Sequence, residues 1–221
     1  MSIDMNINEL FSEKNQELFF NKLIMDLDNN MDTFKLVTKN IVMIEVAKLL
    51  SSLKKIYIKY SIDIDDSQLK KLLGNTKNEL LETATIVIED KYLMNKKYIE
   101  ENQKSSVTKS YLKNYQDHID NSEKSFEDSL NLGIKEVTEI NFYNSLVSIY
   151  PCSNEEMQFD LLDAVNIQFT NNLINRISEE SKHRNRTLKN ISDETYTKYL
   201  EIRKKSNNIP KQSKVKIKKD N

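Results

Sequence analysis

The sequence predicts an all-α protein: an irregular bundle of about seven or eight helices with a disordered basic C-terminal tail. Three observations point there. Apolar residues recur at steps of three and four along most of the chain, the spacing of one face of a helix. The 221 residues hold only two glycines, Gly74 and Gly133, and two prolines, Pro151 and Pro210, too few for the turns of a many-stranded fold. Charged residues make up 30% and hydrophobic ones 38%, the balance of a helix-rich soluble chain long enough to bury a core without disulfides.

The first helix is expected over 7–27, with Leu10, Phe11, Leu18, Leu23, Ile24 and Leu27 as its apolar positions. Asn29-Asn30 then reads as a turn. The central element is a helix over 32–60, with Asp32 as a plausible N-cap. Phe34, Val37, Ile41 and Ile44 form one stripe of it and Val46, Leu49, Leu53, Ile56 and Tyr60 another. The stripes overlap, so this helix is expected to be apolar nearly all round and to have neighbours on more than one face. Its Glu45 and Lys48 read as a solvated strip, able to pair across one turn. The break at 62–66 leads to a short helix over 69–73, capped by Asp66 or Ser67 and ended by Gly74-Asn75.

Thr76 to Glu79 has capping-box spacing and opens the next helix, with Leu80, Leu81, Ala84, Val87, Ile88 and Tyr92. Residues 83–88 are β-branched enough to be a strand instead. Gln103 to Ser106 is a polar linker. It divides an N-terminal helical part, 1–103, built round helix 32–60, from a C-terminal part, 104–205, packed on it. Val107, Tyr111, Tyr115 and Ile119 form a narrow stripe that Asn121-Ser122 breaks. Phe126 and Leu130 mark a short helix closed by Gly133. The stretch 134–150 has a mixed period and is stopped by Pro151. Ser153 to Glu156 is a second capping box. Its helix carries Leu162, Val165, Phe169, Leu173 and Ile177 and is expected to end near Asn185. A last polar helix begins at Ser192. Residues 206–221 form the disordered lysine-rich tail. No internal repeat of fixed period stands out.

The basic residues are unevenly placed. All four arginines, Arg176, Arg184, Arg186 and Arg203, lie in the last quarter of the chain, and the other 29 basic residues are lysines. Residues 204–221 carry seven lysines and one aspartate, net +6, which leaves −7 for residues 1–203 given the overall −1. The lysine excess, with abundant asparagine and isoleucine, has the look of AT-rich coding sequence and points to a low-GC bacterium, its phage or a plasmid.

Few constellations carry chemistry. No second glycine lies near Gly74 or Gly133, so Gly-rich phosphate loops are excluded. Glu180-x-x-His183 has di-iron spacing but lacks a second such motif, and Asp117-His118 with Asp120 lacks the further histidines of a phosphohydrolase. The aspartates of 62–66 lack the Gly and Glu of a calcium loop. Cys152 sits near a helix start with no histidine assigned to it, and as the single cysteine it forms no internal disulfide. No enzymatic activity, cofactor or metal is therefore expected. No secretory or transmembrane stretch is evident. The chain is expected in the cytoplasm, or assembled inside the cell into a larger particle, without membrane contact.

The expected function is that of a non-catalytic structural, assembly or adaptor protein. It would work through contacts with other protein subunits, homo-oligomers included, as in a phage or virion component or a plasmid-encoded adaptor. The alternative is a nucleic-acid-binding regulator or accessory factor using the basic segment 182–219. Its phosphate contacts would come from Arg176, Lys182, Arg184, Arg186, Lys189, Arg203, Lys204 and Lys205. The two readings are separable. An assembly protein exposes an apolar face outside the arginine-bearing segment, whereas a nucleic-acid binder gathers Arg176, Arg184, Arg186 and Lys189 into one positive surface.

Overall fold

The computed structural model describes residues 7–207, with side chains from 13 to 205. Residues 208–221, most of the expected tail, lie outside the described residues. The described chain is all helical, in four long helices rather than seven or eight. Helix α1 is Ile7–Lys59 and α2 is Asp66–Glu101. Helix α3 begins as Lys109–Lys135, passes through a π-helical segment, Glu136–Phe142, and ends as Tyr143–Ile149. Helix α4 begins as Glu155–Leu162, passes through a second π segment, Asp163–Asn171, and continues as Asn172–Asn207.

Three expected breaks are real. At the first, α1 ends on Ser61, whose φ of 54° is left-handed, and Ile62 N–H bonds back to Tyr57 O at 2.9 Å. Asp65, one residue before the expected cap, receives the N–H groups of Ser67 and Gln68 at 2.8 and 3.2 Å. The second break is the polar linker after α2. Thr108 then caps α3 by accepting from Tyr111 N at 3.1 Å. The third is Pro151. Asn154, inside the expected box, caps α4 by accepting from Met157 N at 2.8 Å.

The other expected breaks run straight through. Asn29-Asn30 lies inside α1, and the buried Asn30 Oδ1 accepts from Tyr92 of α2. Thr76 is not a cap; its hydroxyl donates to Leu72 O at 3.0 Å within α2. Gly74 is mid-helix, and 83–88 is helix, not strand. Ser122 is buried in α3, donating to Ile119 O and accepting from Asn95 of α2 at 3.0 Å. Asn185 and Ser192 are likewise buried within α4. Residues of these types cost a helix interior less than about 1 kcal/mol each. Helices this long draw most of their stability from packing, which outweighs such costs.

Gly133 closes nothing either. A Cβ built on it falls 2.6 Å from Thr83 Cγ2, so this glycine lets α2 and α3 approach closely. The mixed period over 134–150 has a physical origin in the π segment. Thr138 and Thr170, both fully buried, bring the two π segments together through a 2.8 Å hydroxyl bond. In α4, Leu161 is buried and Leu162 only half-buried, one position from the expected stripe.

The helices pack up-down-up-down, each neighbouring pair antiparallel. Lys59 meets Asp160 and Phe19 meets Tyr199 across α1 and α4. Lys35 meets Glu89 across α1 and α2. Tyr98 stacks near Tyr115 across α2 and α3. Thus α1 is one corner of a four-helix bundle, not a central helix ringed by neighbours. Ile44 and Met43 are exposed, while Phe34, Val42, Leu49 and Leu53 are buried.

A fixed period does exist, in burial. Buried positions recur every 11 residues: 23, 34, 45 and 27, 38, 49 in α1; 69, 80, 91 and 73, 84, 95 in α2. The same holds for 115, 126, 137 in α3 and 177, 188, 199 in α4. That is about 3.67 residues per turn, slightly above the 3.6 of a straight helix and unlike the 3.5 of a heptad repeat.

Candidate functional sites on α1 and α4

The eight basic residues of the C-terminal reading divide into two groups. Four are neutralised within the fold. Arg176 Nη1 donates to Glu45 Oε1 of α1 at 2.5 Å. Lys182 pairs with Glu127 of α3 at 2.7 Å, and Lys189 with Asp120 of α3. Arg184 pairs with Glu180 one turn back on its own helix at 2.5 Å. The other four, Arg186, Arg203, Lys204 and Lys205, are exposed and make no ion pair among the described residues. Arg186 stands 17 residues from Arg203, about 26 Å along the helix. Of the eight cations, three are thus engaged by α1 or α3, one by α4 itself, and four make no ion pair among the described residues.

Glu45 is not part of a solvated strip. Its side chain is 2% exposed and holds both Arg176 and Lys48, the latter at 2.8 Å. Burial pushes this carboxyl up, but its hydrogen bonds to Lys48 and Arg176 and their positive charges outweigh that and leave it below its ordinary value of 4.5. It is the charged anchor between α1 and α4.

A second polar cluster sits in the core, where the sequence reading placed none. Lys91 Nζ, on a side chain 1% exposed, donates to Glu123 Oε2 and Ser181 Oγ, each at 2.6 Å. Ser181 and Asn185 also donate to that carboxylate oxygen, at 2.8 and 2.7 Å. The ammonium lies 5.0 Å from the Phe126 ring centre. Burial holds Lys91 below its ordinary 10.5 despite the Glu123 charge. The cluster joins α2, α3 and α4, and a register slip of any one would strand a buried charge. The signal for it was available: Lys91 continues the 11-residue series of Leu69 and Leu80. A small pocket of about 30 Å³, lined by Ser122, Ser125 and Ser129 among others, adjoins the cluster.

Two of the remaining candidates pack against neighbouring groups. The His118 ring stacks on Tyr98, centroids 4.5 Å apart, with Nε2 3.3 Å from Met94 O. Cys152 is half-buried against the core. Among the described residues no cluster of His, Cys, Asp or Glu is arranged to hold a metal ion, and no helix is long and apolar enough to cross a membrane.

Among the residues the fold leaves outward on α1 are large apolar ones. Leu18, Met25, Leu36 and Met43 of α1 are 56%, 50%, 61% and 51% exposed. Steps of 7, 11 and 7 residues keep them within about 20° of one line along the helix. They lie opposite the buried face, at the outer corner of the bundle. On the adjoining corner α2 exposes Ile86 and Leu93. The ion pairs Lys35–Glu89 and Lys96–Asp28 hold the two corners alongside. Residue-by-residue reading missed this stripe because Leu18 was counted as a packing position and Asn29-Asn30 was taken to split it.

No protein-family model matches the chain, and no curated protein or solved structure matches it.

Proposed function

We propose that the protein is a non-catalytic helical assembly or adaptor protein that works through protein–protein contacts, with the outward stripe of α1 as its contact face. The observation that carries this reading is the row Leu18, Met25, Leu36 and Met43, half or more exposed and outside the arginine-bearing segment. Apolar side chains aligned along one exposed helix face offer surface that a partner can bury. The paired cations Arg176, Lys182, Arg184 and Lys189 and the polar core network support the same reading, since both work within the fold. The experiment is native mass determination of the complexes the chain forms in its source, for wild type and Leu36→Asp/Met43→Asp. The double variant is expected to melt as wild type does and to lose its complexes. Complexes that survive both substitutions would contradict the reading.

A second reading has its own observation. Arg186, Arg203, Lys204 and Lys205 have no carboxylate partner among the described residues, and residues 204–221 carry a net +6. Nucleic-acid contact through them would be weakly sequence-dependent. Its log–log salt slope would be near −0.9 per phosphate neutralised on duplex DNA. Deleting 206–221 is expected to abolish any such binding. Tight binding that survives the deletion and is lost in Arg184→Gln/Arg186→Gln would favour the nucleic-acid reading instead.

A further inference from the structure

We propose that the groove between α1 and the π segment of α4 binds a small phosphorylated polyol, a monosaccharide phosphate in size. Its phosphate meets Lys48 and Lys55, and one of its hydroxyls meets Glu45. The site goes beyond the assembly reading and does not depend on it, since no residue of the outward stripe lines the groove.

The groove holds about 310 Å³. That is the small end of the roughly 300–1,000 Å³ of ligand pockets. Its floor is buried: Leu49, Ala164 and Phe169 close it, and Glu45 is the charged group there. The π segment sets the small Ala164 in that floor, where a longer side chain would fill the space. Short π stretches inside α-helices are frequent at functional sites.

Several polar groups of the groove are uncommitted. Glu45 Oε1 takes the bonds from both Lys48 and Arg176, and Oε2 has no partner among the described residues. An acceptor on so deeply set a side chain calls for a donor. With two cations already on this carboxylate, a neutral hydroxyl suffices. The Ser51 and Ser52 hydroxyls make no hydrogen bond among the described residues. By contrast, Thr33, Thr76, Thr138 and Ser148 each donate to the carbonyl four residues back. Lys55 is exposed and has no ion pair among the described residues. Lys48, Lys55 and Arg176 against Glu45 leave a net +2, or +1 with Asp163, which Gln168 holds at 2.5 Å beside the rim. Residues 1–203 as a whole carry −7. A phosphate is drawn to the lysines, and polyol hydroxyls match the serines and Glu45 Oε2. A neutral sugar leaves the lysines unused, and bare phosphate leaves the carboxylate oxygen unmet. A nucleobase finds no ring face to stack on, because Phe169 is only 2% exposed.

The test is amide NMR and calorimetric titration of the full chain with glycerol phosphate, ribose phosphate and glucose phosphate. Glucose and inorganic phosphate are the controls. At least one polyol phosphate is expected to bind at millimolar concentration or below, shifting amides of residues 45–55 and 164–172. Each control is expected to bind about tenfold more weakly. Lys55→Gln, at an exposed position, is expected to weaken binding about tenfold and to melt as wild type does. Ser51→Ala leaves the charge intact and is expected to weaken it about threefold. No shift with any of the three phosphates up to about 10 mM, shifts centred elsewhere, or undiminished binding by Lys55→Gln overturns the site. Inorganic phosphate that binds as tightly as the polyol phosphates overturns the ligand class. Leu36→Asp/Met43→Asp is expected to bind the polyol phosphate as wild type does, so the assembly reading and this site fail separately.

Discussion

Gly74 and Gly133 both sit inside helices, and their surroundings give them opposite roles. Nothing lies within 4 Å of a Cβ built on Gly74, so Gly74→Ala only exchanges a poor helix former for the best one. It is expected to stabilise the protein by about 1 kcal/mol. At Gly133 the same methyl meets Thr83 Cγ2 at 2.6 Å, on a β-branched side chain that is stiff at χ1 in a helix. Gly133→Ala is expected to destabilise by about 1–3 kcal/mol less the propensity gain. Urea midpoints of the two variants check the pair, and a stabilised Gly133→Ala would show that α2 and α3 part without cost. In the sequence both glycines read as helix ends, because the partner that decides Gly133 is 50 residues away on another helix.

At the scale of elements, the real breaks and the false ones differ in kind. Pro151 removes a donor and locks φ, and the stretches around 62–66 and 103–106 set several poor helix formers side by side. Asn29-Asn30, Asn121-Ser122 and Asn185 are weak interruptions, and each is offset by a hydrogen bond to another helix. Local propensity shows the first kind; the second depends on contacts the linear sequence does not display. The 11-residue period was hidden for the same reason, because Thr38, Glu45, Lys91 and Asn95 occupy core positions in it. The candidate cations were legible but their partners were not: Arg176 and Glu45 are 131 residues apart. Burial along the central stretch follows a corner helix. Leu49→Ala is therefore expected to cost about 2–5 kcal/mol, and Ile44→Ala, at an exposed position, within about 0.5 kcal/mol. Denaturant midpoints at unchanged slope check both, and equal losses would mean that α1 is buried on all sides.

For the whole molecule, the density of buried phenols sets its response to alkali. Burial holds Tyr57, Tyr92, Tyr111 and Tyr115 well above the ordinary 10.0. For groups raised in the fold, the stabilisation is complete below pH 10 and is lost above it, as the unfolded chain ionises first. Stability is expected to fall above pH 10 by up to about 1.4 kcal/mol per pH unit per fully buried tyrosine. Lys91, held low by burial, opposes this with a single group. Tyr115→Phe should flatten the decline, and a pH-independent urea midpoint up to pH 12 would contradict the burial. The account as a whole depends on α1 being one uninterrupted helix, since the stripe from Leu18 to Met43 exists only if the chain runs straight through Asn29-Asn30. The direct measurement is a pulsed electron–electron distance between spin labels at Glu17→Cys and Lys55→Cys with Cys152→Ser, in dilute protein. An unbroken helix predicts about 57 Å. A separation below about 35 Å would mean that the chain turns at the asparagines, and with the turn would go both the stripe and the contact face built on it.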